Sequence, residues 1–170
     1  MDITNHEETL PIVDKDGNVI GKTTRKEAHG PGKPLHPVVH LHLFNSNGDL
    51  YLQLRPAWKD VQPGKWDTAT GGHVAYGETI SQALLREVSE ELGITNYEPM
   101  FLGRYVYESE VERELVHVYR TVYDGEVHPD ANELAGGRFW TAAEISNAIG
   151  MGLLTPNFES EYNRFFACRD

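Results

Sequence analysis

The sequence predicts an α/β protein built as a single domain over residues 1–170. Three observations carry that reading. Short β-rich segments bounded by turn residues recur along the chain, capping boxes open helices between and after them, and no repeat, low-complexity tract or Pro/Gly/Ser linker divides the chain. A chain of this length buries one sizeable core, not two large ones.

Residues 1–8 are a candidate disordered stretch ahead of a hairpin over 9–24, in which Leu10 to Val13 and Val19 to Thr23 flank the turn Asp16-Gly17-Asn18. Val38 to Phe44 and Leu50 to Leu54 are the next strands. In the first, His40 and His42 share a face opposite Val39, Leu41 and Leu43, so both faces are expected to be covered. Lys65 to Thr70 is a short connecting segment. Thr79 and Gln82 form a capping box and Gly93 suits a left-handed stop, so a helix spans Ile80 to Leu92 with Leu84, Leu85, Val88 and Leu92 as its apolar sector. Strands follow at Glu98 to Glu108, Glu114 to Tyr123 and Arg138 to Trp140. A second capping box, Thr141 with Glu144, opens another helix, and Thr155-Pro156 opens a third, whose Phe158, Tyr162, Phe165 and Phe166 read as a core-facing stripe.

Composition excludes several function classes. Fifteen Lys and Arg against 26 Asp and Glu give a net charge of −11, which opposes contact with a nucleic-acid backbone. No apolar run approaches the roughly 20 residues of a membrane span, and the acidic N-terminus does not read as a signal peptide. The single cysteine, Cys168, forms no intrachain disulfide, which fits a reducing cytoplasm.

On the helix over 80–92, Glu87, Glu90 and Glu91 crowd one sector beside the apolar stripe, with Arg86 one turn before Glu90. Like charges so placed repel, and the repulsion grows where solvent is partly excluded. Carboxylates in that pattern suit Mg²⁺ or Mn²⁺, ions that share their coordination with substrate phosphates. The plain alternative is a solvated acidic face. Gly71, Gly72 and Gly77 in the preceding loop, with Glu78 just before the cap, favour the metal.

Gly72, Glu78 and the run Arg86-Glu87-Val88-Ser89-Glu90-Glu91-Leu92-Gly93-Ile94 match every fixed position of the Nudix box, over 72–94. The resemblance to the Nudix superfamily implies an α/β/α sandwich with a mixed sheet and metal-assisted chemistry at a phosphoanhydride. It makes Glu87, Glu90 and Glu91 metal ligands or the base, the Gly72 carbonyl a further ligand, Arg86 the residue that holds the glutamates, and Glu78 a supporting carboxylate.

A narrower resemblance covers nearly the whole chain. Ile12-Val13-Asp14, Ala28-His29, Leu35-His36, Arg55 to Lys59, Pro63-Gly64-Lys65-Trp66 and Gly72-His73 are similar to the isopentenyl-diphosphate isomerase branch. It implies a second metal site of His29, His36, His73, Glu112 and Glu114, and a diphosphate-binding pair in Arg55 and Lys59. His6, His40, His42, His117 and His128 keep a structural reading. The isomerase reaction needs a cysteine where this chain has Gly71, and an aromatic residue where Asn157 follows Thr155-Pro156. Cys168 matches no catalytic position.

The sequence therefore predicts a cytoplasmic Mg²⁺- or Mn²⁺-dependent hydrolase of a small nucleotide-like or other organic diphosphate, with Glu87 or Glu114 as the base. The runner-up is an isomerase-like enzyme on a prenyl diphosphate, and a third class is a diphosphate-sensing module. Trp58, Trp66 and Tyr76 either stack a base or pack in the core. The hairpin adds a strand to the sheet or to a second copy in a homodimer, and the residues leave both open.

Overall fold

The computed structural model describes residues 8–59 and 61–167; His6 and Cys168 lie outside them. Asp14 organises the first turn, its Oδ1 accepting from the amides of Asp16 and Asn18 at 2.9 Å each, while Gly17 takes the positive φ of +87° that the turn requires. The strands it joins are β1 (Thr9–Val13) and β2 (Val19–Thr24). They pair only with each other, so the hairpin forms its own two-stranded sheet and adds no strand to the larger one. It is tied down instead by the Tyr76 amide donating to the Thr9 carbonyl at 2.9 Å. Thr24 then caps a single helical turn, α1 (Arg25–Ala28), which ends at His29.

The larger sheet has seven strands: β3 (Leu35–Phe44), β4 (Leu50–Leu54), β5 (Trp66–Thr68), β6 (Thr70–His73), β7 (Met100–Glu108), β8 (Arg113–Val122) and β9 (Gly136–Trp140). Their order is β5-β4-β3-β8-β7, with β6 also on β3 and β9 also on β4. The β3–β8 pair is parallel and the others are antiparallel, so the sheet is mixed. Strand β3 begins three residues earlier than expected, at Leu35, because its parallel register with β8 starts with Leu35 opposite Arg113.

Alternation along β3 divides the core. Val39, Leu41 and Leu43 face α2 (Ile80–Leu92), packing with Ala83, Leu84, Val88 and Leu92. Leu85, placed in that apolar sector by periodicity, is 51 % exposed; the buried stripe needs only Ala83 and the Leu84–Val88–Leu92 row. The capping box of Thr79 and Gln82 and the left-handed Gly93 are both formed. On the other face lie α3 (Ala142–Ala148) and α4 (Pro156–Phe165). Ile145, Ala148, Phe158 and Tyr162 cover Leu50 and Leu52, and Phe165 packs on Val38, Val116 and Val118. The result is an α/β/α sandwich.

Inside the α4 layer sits a charge that periodicity hides. Glu161, 1 % exposed, accepts from His40 Nδ1 at 2.9 and 3.2 Å, from His42 Nε2 at 2.5 Å and from the Tyr105 hydroxyl at 2.5 Å. Burial works against charge on both Glu161 and His40. Their mutual attraction and hydrogen bonds outweigh it, holding the Glu161 carboxyl well below its usual range and pushing the His40 imidazole up to about 9.

A raised folded-state value means that the stabilisation from His40 is fully present below its ordinary 6.5 and is lost as pH rises through about 9. The Tm gap between the wild type and His40→Gln is accordingly expected to be largest near neutrality and to narrow between about pH 7 and pH 10 in thermal melts. A gap constant across that range contradicts the assignment of charge to His40.

Candidate functional site

The site is built around β6. In its antiparallel register with β3, Gly72 lies opposite Val39, and Gly71 and His73 lie opposite His40 and Val38. Alternation therefore turns Gly72 toward α2, and Gly71 and His73 toward the face covered by α4.

On the α2 side, a Cβ at Gly72 would stand 2.2 Å from the Glu87 carboxyl carbon, so only glycine lets strand and helix close to this distance. Arg86 binds the surrounding acids together. Its Nε donates to Glu78 Oε2 at 2.9 Å, Nη1 to Glu87 Oε1 at 2.8 Å, and Nη2 to Glu78 Oε1 and the His73 carbonyl at 3.0 Å each. Glu90, 60 % exposed, is a longer ion pair at 3.6 Å. The main partner of Arg86 is thus Glu78, not Glu90, because Glu78 offers both oxygens. Glu78 also accepts from the Ala75 amide at 3.0 Å, which fixes the loop. The Arg86 bonds hold the Glu78 carboxyl below its usual range.

Glu87 and Glu91 behave oppositely. Burial pushes the Glu87 carboxyl up against the pull of Arg86, and burial together with Glu87 pushes Glu91 up, although Thr70 Oγ1 donates to Glu91 Oε2 at 2.5 Å. Two acids whose charged forms are both disfavoured, closed against the backbone at Gly72, form a donor set that fits a hard divalent cation.

On the opposite side of β6, ligand atoms of His29, His36, His73 and Glu112 all lie within 4.8 Å of one another. Each is positioned locally. Helix α1 ends on His29, β3 and β6 carry His36 and His73, and Ser109 Oγ, accepting from the Val111 and Glu112 amides at 3.2 Å, shapes the turn that presents Glu112. His29 Nε2 is 2.9 Å from Glu112 Oε2. His36 Nδ1 bonds the Pro34 carbonyl at 3.0 Å, which leaves Nε2 buried without a partner, and burial lowers the ring's proton affinity. A neutral imidazole with a free, buried nitrogen is suited to metal ligation. Glu114 does not join these four. It stands opposite His36 in the β3–β8 register, with its carboxyl pushed up by burial and by Glu112.

The expected diphosphate pair lies in the connection after β4. Arg55 Nε donates to the Val61 carbonyl at 3.0 Å and its Nη1 is 3.7 Å from Asp67, while Lys59 is 3.7 Å from Glu133 and 4.9 Å above the Trp58 ring. Trp66 packs against Trp140 in the core, whereas Trp58 and Tyr76 are 67 % and 51 % exposed. Sequence reasoning missed Thr70 and Glu8. Glu8 stands 3.6 Å from His73, and its interactions with His73, Arg25 and Arg86 hold the carboxyl low.

Comparison with known proteins gives the class: residues 34–158 match the family model described as NUDIX domain. The isopentenyl-diphosphate Delta-isomerase 1 of Photorhabdus laumondii is 31% identical over 163 residues, covering 91% of this chain and 93% of that protein. An uncharacterized Nudix hydrolase of Streptomyces coelicolor is 32% identical over 169 residues, covering 98% and 93%. Among solved structures, a protein of Deinococcus radiodurans superposes with a TM-score of 0.79 at 24% identity over 94% of this chain and 100% of that one. A MutT protein of Methanosarcina mazei gives 0.66 at 25% over 80% and 96%. The chain belongs to the Nudix family and is an enzyme of its hydrolase type.

Removing the Arg86 guanidinium leaves Glu78 and Glu87 unpaired. Arg86→Ala is expected to cost about 2 kcal/mol of stability in chemical denaturation, as for loss of hydrogen bonds to charged groups. A change under about 0.5 kcal/mol contradicts this role.

Proposed function

We propose that the whole chain, 1–170, is a single Nudix domain that acts as a Mg²⁺- or Mn²⁺-dependent cytoplasmic hydrolase, cleaving a diphosphate linkage in a small nucleotide-like or other organic diphosphate. The observation that carries the reading is the closure of Gly72 on Glu87, with Glu91 beside it and Arg86 bridging Glu87 to Glu78. Members of this family generally use divalent metals. Glu87, Glu90, Glu91 and the Gly72 carbonyl are the residues that would hold the ion. Bound there, a divalent cation neutralises phosphate charge and makes a bound water more acidic. Glu87 or Glu114 takes the proton from the attacking water, and the raised proton affinity of both carboxyls suits a base. Arg86 keeps Glu87 aimed, and Arg55 and Lys59 supply positive charge for the diphosphate in a chain of net charge −11. His29, His36, His73 and Glu112, with Glu114 next to them, form a second candidate metal site.

A second reading draws on the relatives named as isopentenyl-diphosphate isomerases. Against it, the residue facing His40 at the position where that chemistry needs a thiol is Gly71, which transfers no proton. Phosphorus NMR of a panel of nucleoside triphosphates, nucleotide sugars, coenzyme diphosphates and isopentenyl diphosphate, with Mg²⁺, distinguishes the two. Loss of an anhydride resonance supports hydrolysis; a shifted double bond in the proton spectrum with the anhydride intact supports isomerisation.

Glu87→Gln and Glu91→Gln are each expected to lower kcat at least about 10²-fold while circular dichroism and Tm stay near those of the wild type. Full turnover in either variant refutes the assignment of the α2 site. Chelation is expected to abolish turnover, and added Mg²⁺ or Mn²⁺ to restore it. For the second cluster, His73→Ala in protein purified without added metal is expected to lose bound metal by elemental analysis; unchanged content removes His73 from the ligand set.

A further inference from the structure

His40 belongs to neither cluster, yet it faces Gly71, the chain neighbour of Gly72. Its ring is gripped on one edge only. Nδ1 is held by Glu161 at 2.9 and 3.2 Å, and Glu161 is itself fixed by His42 and Tyr105, so the imidazole cannot swing without breaking a buried network. The other edge faces Gly71. A Cβ built there would lie 2.9 Å from His40 Cδ2 and 3.3 Å from Nε2. The φ of Gly71 is not positive, so the backbone does not demand glycine at this position. What the missing side chain leaves open is the His40 ring edge. Nε2 makes no hydrogen bond among the described residues, and the side chain keeps 18 % of its exposure.

The neighbouring residue, Gly72, is the one pressed against Glu87. A ligand held at Gly72 is therefore bound one residue, about 3.8 Å of backbone, from the Gly71 that faces the His40 ring. Glu161, Glu114 and Asp67 all act to keep that ring charged, and a cationic N–H is a strong donor to a phosphoryl oxygen.

We propose that His40 is a substrate-contacting residue that presents Nε2 across Gly71 to a phosphoryl oxygen of the diphosphate, with Glu161 as its positioning residue. This rests on the diphosphate-site reading above. Gly71 is then explained as an aperture: a methyl group there covers the nitrogen, and the ring cannot retreat from it.

The test uses methylenediphosphonate, a diphosphate that is not hydrolysed, with Mg²⁺. In histidine-¹⁵N-labelled wild-type protein, the His40 Nε2 resonance, assigned by its absence in His40→Gln, is expected to move on titration. His40→Gln and Gly71→Ala are each expected to bind the probe about 10- to 100-fold more weakly, the equivalent of one hydrogen bond to a charged group. A resonance that stays fixed in the wild type, or affinities equal to wild type in both variants, overturns the proposal even if Tm falls, because a purely structural role moves stability alone. Should one variant fail to fold, the wild-type resonance still decides. The hydrolase reading is tested separately: a His40 shift without turnover of any anhydride sinks that reading and leaves His40 in place.

Discussion

The close approach of β6 to α2 is the constraint on which the rest of the site depends. Two glycines in succession make β6 thin enough to be flanked by functional groups on both faces. Through Gly72 the Glu87 carboxyl reaches the backbone, and through Gly71 the His40 ring lies against it from the other face. Since successive residues of a strand point to opposite faces, a single Gly-Gly-His run serves the carboxylates of α2 and the histidine cluster at once. Larger side chains at 71 and 72 would separate both layers from the strand.

Charge is handled by pairing. The chain carries a large negative excess, and its buried acids meet that in different ways. Glu78 is satisfied by Arg86, and Glu161 by two histidines and a tyrosine; both are held in the charged form. Glu87, Glu91 and Glu114 have too little positive charge nearby to offset burial, so their proton affinity rises. The satisfied acids are structural braces. The others are poised for a cation or a proton, and they line the two candidate sites.

Several elements were legible because their signals are local. The span Ile80–Leu92, both capping boxes and the left-handed Gly93 follow from the side-chain chemistry of consecutive residues. The four residues of the candidate metal site could be named one by one from resemblance, but their assembly from α1, β3, β6 and the β7–β8 turn is a matter of topology. Strands β5 and β6 were not legible: each has three or four residues, and in Thr70-Gly71-Gly72-His73 the two glycines outweigh the β-propensity of Thr70, so the run is a strand because β3 offers it an open edge. Leu85 failed in the other direction, since periodicity marks a sector and only the packed sheet fixes its width. Glu161 left one trace, an acid three residues after Phe158 inside an aromatic stripe.

The sequence by itself determined the family, because the spacing of Gly72, Glu78, Arg86, Glu87, Glu90 and Glu91 matches the Nudix box over one strand-loop-helix unit. It also determined the helix caps and the hairpin turn. Only the tertiary structure decided which acids are buried, that Arg86 favours Glu78 over Glu90, that Glu114 lies beside the group of four and not within it, and that His40 is locked on one edge and open on the other. The physical reason is the range of the interactions. Caps and turns act over a few residues, whereas burial and buried ion pairs exist only once β3, β6, α2 and α4 have come together.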